Sequence, residues 1–362
     1  MAAVQNAAIA SGFLRSAERF PDRPALEIGG ESLSYDELRR RATAIAGALA
    51  KYAPTEPRLT AVFGSRSATS FAGVLGALLR GHGYVPLNPR FPIERNRSII
   101  DRSGCRSVVV DAAAVDTAVD TLAGISRRLI VLLPDRTSSA AERRRWAPHE
   151  VVGVEKGDPT LPRPRADDPA YLLFTSGSTG RPKGVLVRQA HVRAFLDAIA
   201  ERYDLDENDR LSQMFDLTFD LSAFDMFAGW EHGACVCCPR AGQLLKPSSF
   251  IRSAGLTVWF SVPSVALLLH RFRVLTPEAF PTLRLSLFCG EAFPAALARA
   301  WALAASNSVI DNLYGPTEAT IACTAHRWDP AERDAPTKLV PIGMPLGATR
   351  VQIVDDSLRP VA

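Results

Sequence analysis

The chain has 362 residues, too many for one small core and enough for two or three domains or subdomains. Hydrophobic residues make up 47% and charged residues 22%, an ordinary balance for a soluble globular protein. A net charge of +4 gives no electrostatic case for a nucleic-acid partner, and no run of about 18 apolar residues suggests a membrane span.

Met1 to Gly12 has small apolar residues but no basic region or long apolar run, so it does not read as a signal peptide and a cytoplasmic location is expected. Residues 32–52 read as a turn and then a helix, with Asp36 and Glu37 near its start, where the dipole favours them. Leu59 to Phe63 reads as a strand, Ser67 to Leu79 as a helix, Glu94 to Ser103 as another helix and Ser107 to Val110 as a strand. This alternation argues for a mostly parallel sheet covered on both faces. Residues 135–168, rich in Arg, Pro, Asp and Glu, read as an exposed connector. Gln189 to Tyr203 is a helix with Val192, Phe195, Leu196 and Ile199 on one face. A second α/β series follows, with strands at Arg210 to Asp216, Gly233 to Cys238, Thr257 to Ser261, Leu285 to Cys289 and Val309 to Asn312. Helices lie between them at Pro263 to Phe272 and Pro294 to Ala305. Residues 339–355 alternate as β-type sequence and are expected to begin a further, barrel-like sheet. The expected divisions are residues 1–190, 191–335 and 336–362.

The six cysteines lack the pattern of a secreted disulfide framework. Cys235, Cys237 and Cys238 do not have the usual zinc spacing and read as part of a buried strand, with reduced thiols.

Residues 171–187 carry the most chemistry. Tyr171 to Phe174 read as a buried strand, followed by Thr175, Ser176, Gly177, Ser178, Thr179 and Gly180, then Lys183 and Gly184. Such a loop can wrap a polyphosphate with backbone N–H groups and hydroxyls, with Lys183 as a point charge. Lysine is scarce in this chain, which weights Lys183 toward function. The Walker pattern does not fit, because Pro182 stands where its second glycine is required.

This loop resembles the phosphate-loop signature of the adenylate-forming enzymes, which include amino-acid adenylation domains of nonribosomal peptide synthesis, acyl- and aryl-CoA ligases and luciferases. Four further segments are similar to that family's motifs in the same order: 33–49, Gly81 to Pro89, Phe219 to Phe227 and Asn312 to Glu318. The resemblance implies ATP and Mg2+ as cofactors. It also implies activation of a carboxylate as acyl-adenylate with loss of pyrophosphate, then transfer to a thiol. In the amino-acid branch that thiol is the phosphopantetheine of a peptidyl carrier protein.

The same resemblance assigns roles by residue. Asn312 would bind the adenine amino group and Tyr314 stack on the base. Thr317 would contact the α-phosphate and Glu318 hold Mg2+, with Lys183 as a further charge stabiliser. Gly290, Glu291 and Ala292 match the other adenine-side wall, although Glu291 reads equally well as a surface carboxylate. Asp220 matches the aspartate that binds the substrate α-ammonium in amino-acid-activating members. An acid among Phe219, Leu221 and Phe224 is costly unless paired, and a ligand cation satisfies it. The remaining pocket positions are Leu221, Phe224, Phe260, Leu287, Cys289, Leu313, Ile321 and Ala322. None can pair a charged side chain, so an apolar α-amino acid is expected, with proline first and leucine, isoleucine or valine next. An acyl- or aryl-CoA ligase and a non-catalytic binding chain of the same fold remain the alternatives. The family's later motifs do not occur in these residues, so the sequence resembles a truncated large N-terminal domain and impaired adenylation is expected.

Overall fold

Helix starts in this chain are written in short polar signals. Ser34 accepts from the Glu37 amide at 3.2 Å while the Glu37 carboxylate accepts from the Ser34 amide at 2.9 Å, and this reciprocal cap opens the helix Tyr35–Tyr52. Ser67 caps the helix Ala68–Leu79 through the Ser70 amide at 3.1 Å. Gly104, at φ 68°, ends the helix Ile93–Ser103 in the left-handed conformation that glycine adopts without strain. The computed structural model describes residues 8–135, 139, 143–155, 164–175, 182–329 and 338–361.

In chain order the strands are β1 (Pro24–Ile28), β2 (Glu31–Ser34), β3 (Leu59–Phe63), β4 (Gly83–Leu87) and β5 (Ser107–Val110). Next come β6 (Ile130–Leu132), β7 (Glu150–Val152), β8 (Pro169–Thr175), β9 (Lys183–Arg188), β10 (Arg210–Ser212) and β11 (Cys235–Cys237). The series ends with β12 (Val258–Ser261), β13 (Leu285–Phe288), β14 (Val309–Tyr314), β15 (Thr324–Arg327) and β16 (Met344–Pro345).

Among the described residues these strands form two sheets. One has the order β7-β6-β5-β3-β4-β8-β9 and is parallel except for the β8–β9 hairpin. The other has the order β16-β15-β14-β13-β12-β10-β11-β1-β2, with a parallel centre and antiparallel edges. Central strands such as β3, β5, β12 and β13 are buried along their whole length, as parallel strands covered on both faces must be. The two sheets are flanked by helices, the mixed α/β class expected.

Several elements depart from the sequence reading. The β1–β2 hairpin, early in the chain, lies at the edge of the sheet built from the later strands. The connector 135–168 contains β7, too short a strand to show a period. The strand expected at 210–216 ends at Ser212, and its loop turns on Asp216. Residues 339–355 contribute β16 to the edge of the nine-stranded sheet, while Val354 and Pro360 form an isolated bridge. Pro341, Gly343, Pro345 and Gly347 break the apolar run there into short pieces.

No described helix is long and apolar enough to cross a membrane.

Candidate active site

The site forms where loops after strands of both sheets meet. Asn88, just past β4, donates Nδ2 to Asp216 Oδ2 at 2.8 Å. Asp216 in turn accepts from the Thr218 amide and hydroxyl at 3.1 and 2.7 Å. This ties the loop leading to Asp220 against the other sheet.

Asp220 sits at the N-cap of the helix Leu221–Glu231, where aspartate usually bonds a first-turn amide, yet its side chain makes no capping hydrogen bond. The residue is buried and Oδ2 has no partner among the described residues. Burial pushes its pKa up, while the Thr317 hydroxyl and the Ile321 and Leu221 amides pull it back. Phe219, expected beside it in the interior, is 58% exposed, because a helical start turns successive side chains by about 100°.

The eight apolar positions expected around Asp220 lie in the interior. Leu221, Phe224, Phe260, Leu287, Cys289, Leu313, Ile321 and Ala322 are all buried and belong to one continuous core. The Phe260 ring meets Phe224 edge-on at 5.0 Å and Phe215 at 4.9 Å. Burial raises the Cys289 thiol to about 12, with the Asp220 charge adding to it.

The segment closing β14 brings several expected groups near Asp220. Asn312 is buried; its Nδ2 donates to the Val340 and Pro341 carbonyls at 3.2 and 2.9 Å, leaving Oδ1 without a partner among the described residues. Tyr314 is 47% exposed at the strand end. Thr317 and Glu318 occupy a short 3-10 turn, Thr317 half-buried and Glu318 exposed. Gly315 allows a close chain crossing, since a Cβ there would lie 2.6 Å from Ala322 Cα and 2.9 Å from the Ile321 oxygen. Thr320 and Ile321 follow at φ 64° and 68°, a conformation strained for a β-branched residue and concentrated beside the pocket.

On the facing wall Gly290 adopts φ 89° and Ala292 is exposed. The Glu291 carboxylate accepts from the Ser264 amide at 2.8 Å and its hydroxyl at 3.0 Å, at the start of the helix Pro263–Arg271. Thr175 and Lys183 pair across the β8–β9 hairpin, with Lys183 exposed. The loop residues Ser176, Gly177, Ser178, Thr179 and Gly180 lie outside the described residues.

Sequence reasoning missed three features. Tyr84 and Tyr171 stand side by side on β4 and β8 with buried hydroxyls, and their place inside apolar runs gave no hint of this. The positive-φ pair Thr320–Ile321 carries no glycine to announce it. Away from the pocket, Glu27 joins Cys235 and Cys237, their ligand atoms lying within 4.8 Å of one another. Glu27 there pairs with the Arg210 guanidinium at 2.5 Å, and the Cys237 thiol is held well above its usual range by its hydrogen bond with Cys235 and by burial.

The AMP-binding enzyme family profile matches residues 13–362. An L-proline–L-prolyl-carrier protein ligase of Streptomyces coelicolor is 34% identical over 349 residues, covering 94% of this chain and 64% of the relative. Bacitracin synthase 3 of Bacillus licheniformis is 28% identical over 352 residues, 96% of this chain but 5% of that protein. The chain thus spans less than two thirds of these curated relatives. The crystal structure of the Vibrio cholerae adenylation domain AlmE in complex with glycyl-adenosine-5'-phosphate superposes with a TM-score of 0.89 at 29% identity, covering 97% of this chain and 66% of that one. With its fold and its ordered motifs, this chain belongs to the AMP-binding enzyme family.

Proposed function

We propose that the chain activates an apolar α-amino acid with ATP, giving an aminoacyl-adenylate and pyrophosphate, for transfer to the phosphopantetheine thiol of a carrier protein. The observation that carries this reading is Asp220, a buried carboxylate with one oxygen unpartnered among the described residues, beside the buried apolar side chains of Leu221 and Phe224. A substrate α-ammonium supplies the missing partner. The hydrocarbon lining accepts an aliphatic side chain and leaves a polar one unsatisfied, at about 1–3 kcal/mol per group. Proline is the favoured substrate, supported by similarity to the L-proline ligase.

A substrate carboxylate oxygen attacks the α-phosphorus, its new bond forming as the bond to the bridging oxygen breaks, and pyrophosphate leaves with that electron pair. The protein supplies no nucleophile; it positions the reactants and stabilises charge. Asn312 Oδ1 suits the adenine exocyclic amine, because both its amide hydrogens are already engaged. Tyr314 offers an aromatic face to the base, and Gly290 to Ala292 form the opposite wall. With nucleotide bound, the single Thr317 hydroxyl hydrogen turns from Asp220 to an α-phosphate oxygen, and the loop Thr175 to Gly180 with Lys183 receives the departing phosphates. Glu318, an exposed hard-oxygen donor beside these groups, suits Mg2+, which supplies charge neutralisation on the phosphates when bound. In this reading residues 1–190 carry the phosphate loop, 191–335 the amino-acid pocket, and 336–362 open a further β unit.

A pyrophosphate-release screen of the twenty amino acids alongside their des-amino analogues tests the reading. The expected result is a response to proline or another aliphatic amino acid and none to the analogues. A preference for des-amino acids would sink the ammonium assignment and point to an acyl-CoA ligase.

A further inference from the structure

Cys235 and Cys237 are two residues apart on β11, so both thiols stand on one face of the nine-stranded sheet. Glu27 is the register partner of Cys237 on β1, and Arg210 is the register partner of Cys235 on β10. Residues paired in register share a face, which gathers the four side chains. The two sulfurs are 3.8 Å apart, and a Glu27 oxygen completes a triangle whose edges are all within 4.8 Å. In a tetrahedral zinc site, Zn–S bonds of about 2.3 Å set two sulfurs about 3.8 Å apart. The thiol pair has that spacing. Both cysteines are buried, and a cavity of about 260 Å³ adjoins them, with Glu27, Cys237 and Arg240 in its lining.

We propose that Glu27, Cys235 and Cys237 form a binding site for a thiophilic divalent cation, Zn2+ foremost, with a water from the adjoining cavity as fourth ligand. Each thiol gives its proton to solvent as its sulfur bonds the metal. Two thiolates and a carboxylate then face Zn2+ and the Arg210 guanidinium, so the cluster is neutral as a whole. Arg210 is held in place for that role. Its Nε donates to the Ala254 carbonyl at 2.5 Å and its Nη2 to Glu27 Oε2 at 2.5 Å, which leaves the other carboxylate oxygen for the metal. The bound cation pins β1 to β11 and thereby holds the early hairpin β1–β2 against the strands of later residues. The local cysteine spacing conceals the site, because the third ligand comes from another strand. The two cysteines pack in a different core from the amino-acid pocket positions, and their metal binding does not depend on the adenylation reading.

The test titrates the full chain, reduced and stripped by chelator, with Cd2+ and with Zn2+ alone. Cd2+ is expected to give a thiolate-to-metal charge-transfer band that saturates at one ion per chain. Cys235→Ser and Cys237→Ser should each remove the band, and Glu27→Gln should weaken Zn2+ binding about tenfold in competition with a chromophoric chelator. Cys238→Ser should keep the band, since Cys238 packs in the other core. X-ray absorption of Zn2+ on the unsubstituted chain supplies a readout that does not require any variant to fold. It should show two sulfurs at about 2.3 Å and lighter ligands at about 2.0–2.2 Å. The absence of a thiolate band at one equivalent, a Zn2+ ringed by oxygen and nitrogen alone, or a band that Cys238→Ser abolishes or that survives in the Cys235→Ser/Cys237→Ser double variant would each overturn the site.

Discussion

Asn312 donates Nδ2 to the Pro341 carbonyl at 2.9 Å, and the same nitrogen reaches the Val340 carbonyl at 3.2 Å. The two bonds fix the orientation of the amide, because neither carbonyl can donate in return, and they leave Oδ1 as a buried acceptor. Asn312→Ala is therefore expected to raise the KM for ATP about tenfold through loss of that acceptor. The amino-acid KM should change little, and thermal unfolding should shift down because the two carbonyls lose their donor. Equal ATP affinity in titration calorimetry would remove Asn312 from the nucleotide site.

Asp220→Ala is expected to abolish amino-acid selection. Removing one partner of a buried ion pair costs roughly 3–5 kcal/mol. A substrate screen on the variant checks this, and an undiminished preference for amino acids over des-amino acids would contradict the role.

Glu318→Gln keeps the shape of an exposed side chain and removes its charge. The expected effect is a higher Mg2+ requirement for pyrophosphate exchange with the stability of the chain unchanged. A Mg2+ titration identical to that of the parent would move the metal to another ligand.

Gly315→Ala would set a methyl group 2.6 Å from Ala322 Cα and 2.9 Å from the Ile321 oxygen. Both obstacles are backbone, so the turn carrying Thr317 and Glu318 must shift. Overpacking of this kind costs about 1–3 kcal/mol, and exchange activity should fall more than the loss of stability explains. Circular dichroism melting beside activity separates the two effects.

His82 provides a pH-dependent term. It is buried, its Nδ1 lies 2.9 Å from Thr60 Oγ1, and desolvation lowers its pKa to about 4. The unfolded chain takes up a proton near pH 6.5 and the folded chain near pH 4, so stability present above pH 6.5 is lost as pH falls through that window. The loss amounts to about 3 kcal/mol at the acid end. Urea unfolding at pH 7, 5.5 and 4 should show the decline, and His82→Gln should flatten part of it.

The sequence by itself determined the family's motifs and the strand–helix alternation. These are local properties: a period of two or 3.6, a glycine beside hydroxyls, an acid among apolar residues. The helices Gln189–Arg202 and Pro263–Arg271 were legible within a residue for that reason. The short strands β6, β7 and β11 were not legible with the same accuracy, since three residues do not establish a period. Only the tertiary structure decided that β1 and β2 join the sheet built from later strands, that Asp220 forgoes its helix cap, and that Tyr84 and Tyr171 bury neighbouring hydroxyls with no partner among the described residues. Whether a polar atom finds a partner depends on residues far away in the chain, and no local pattern encodes that answer.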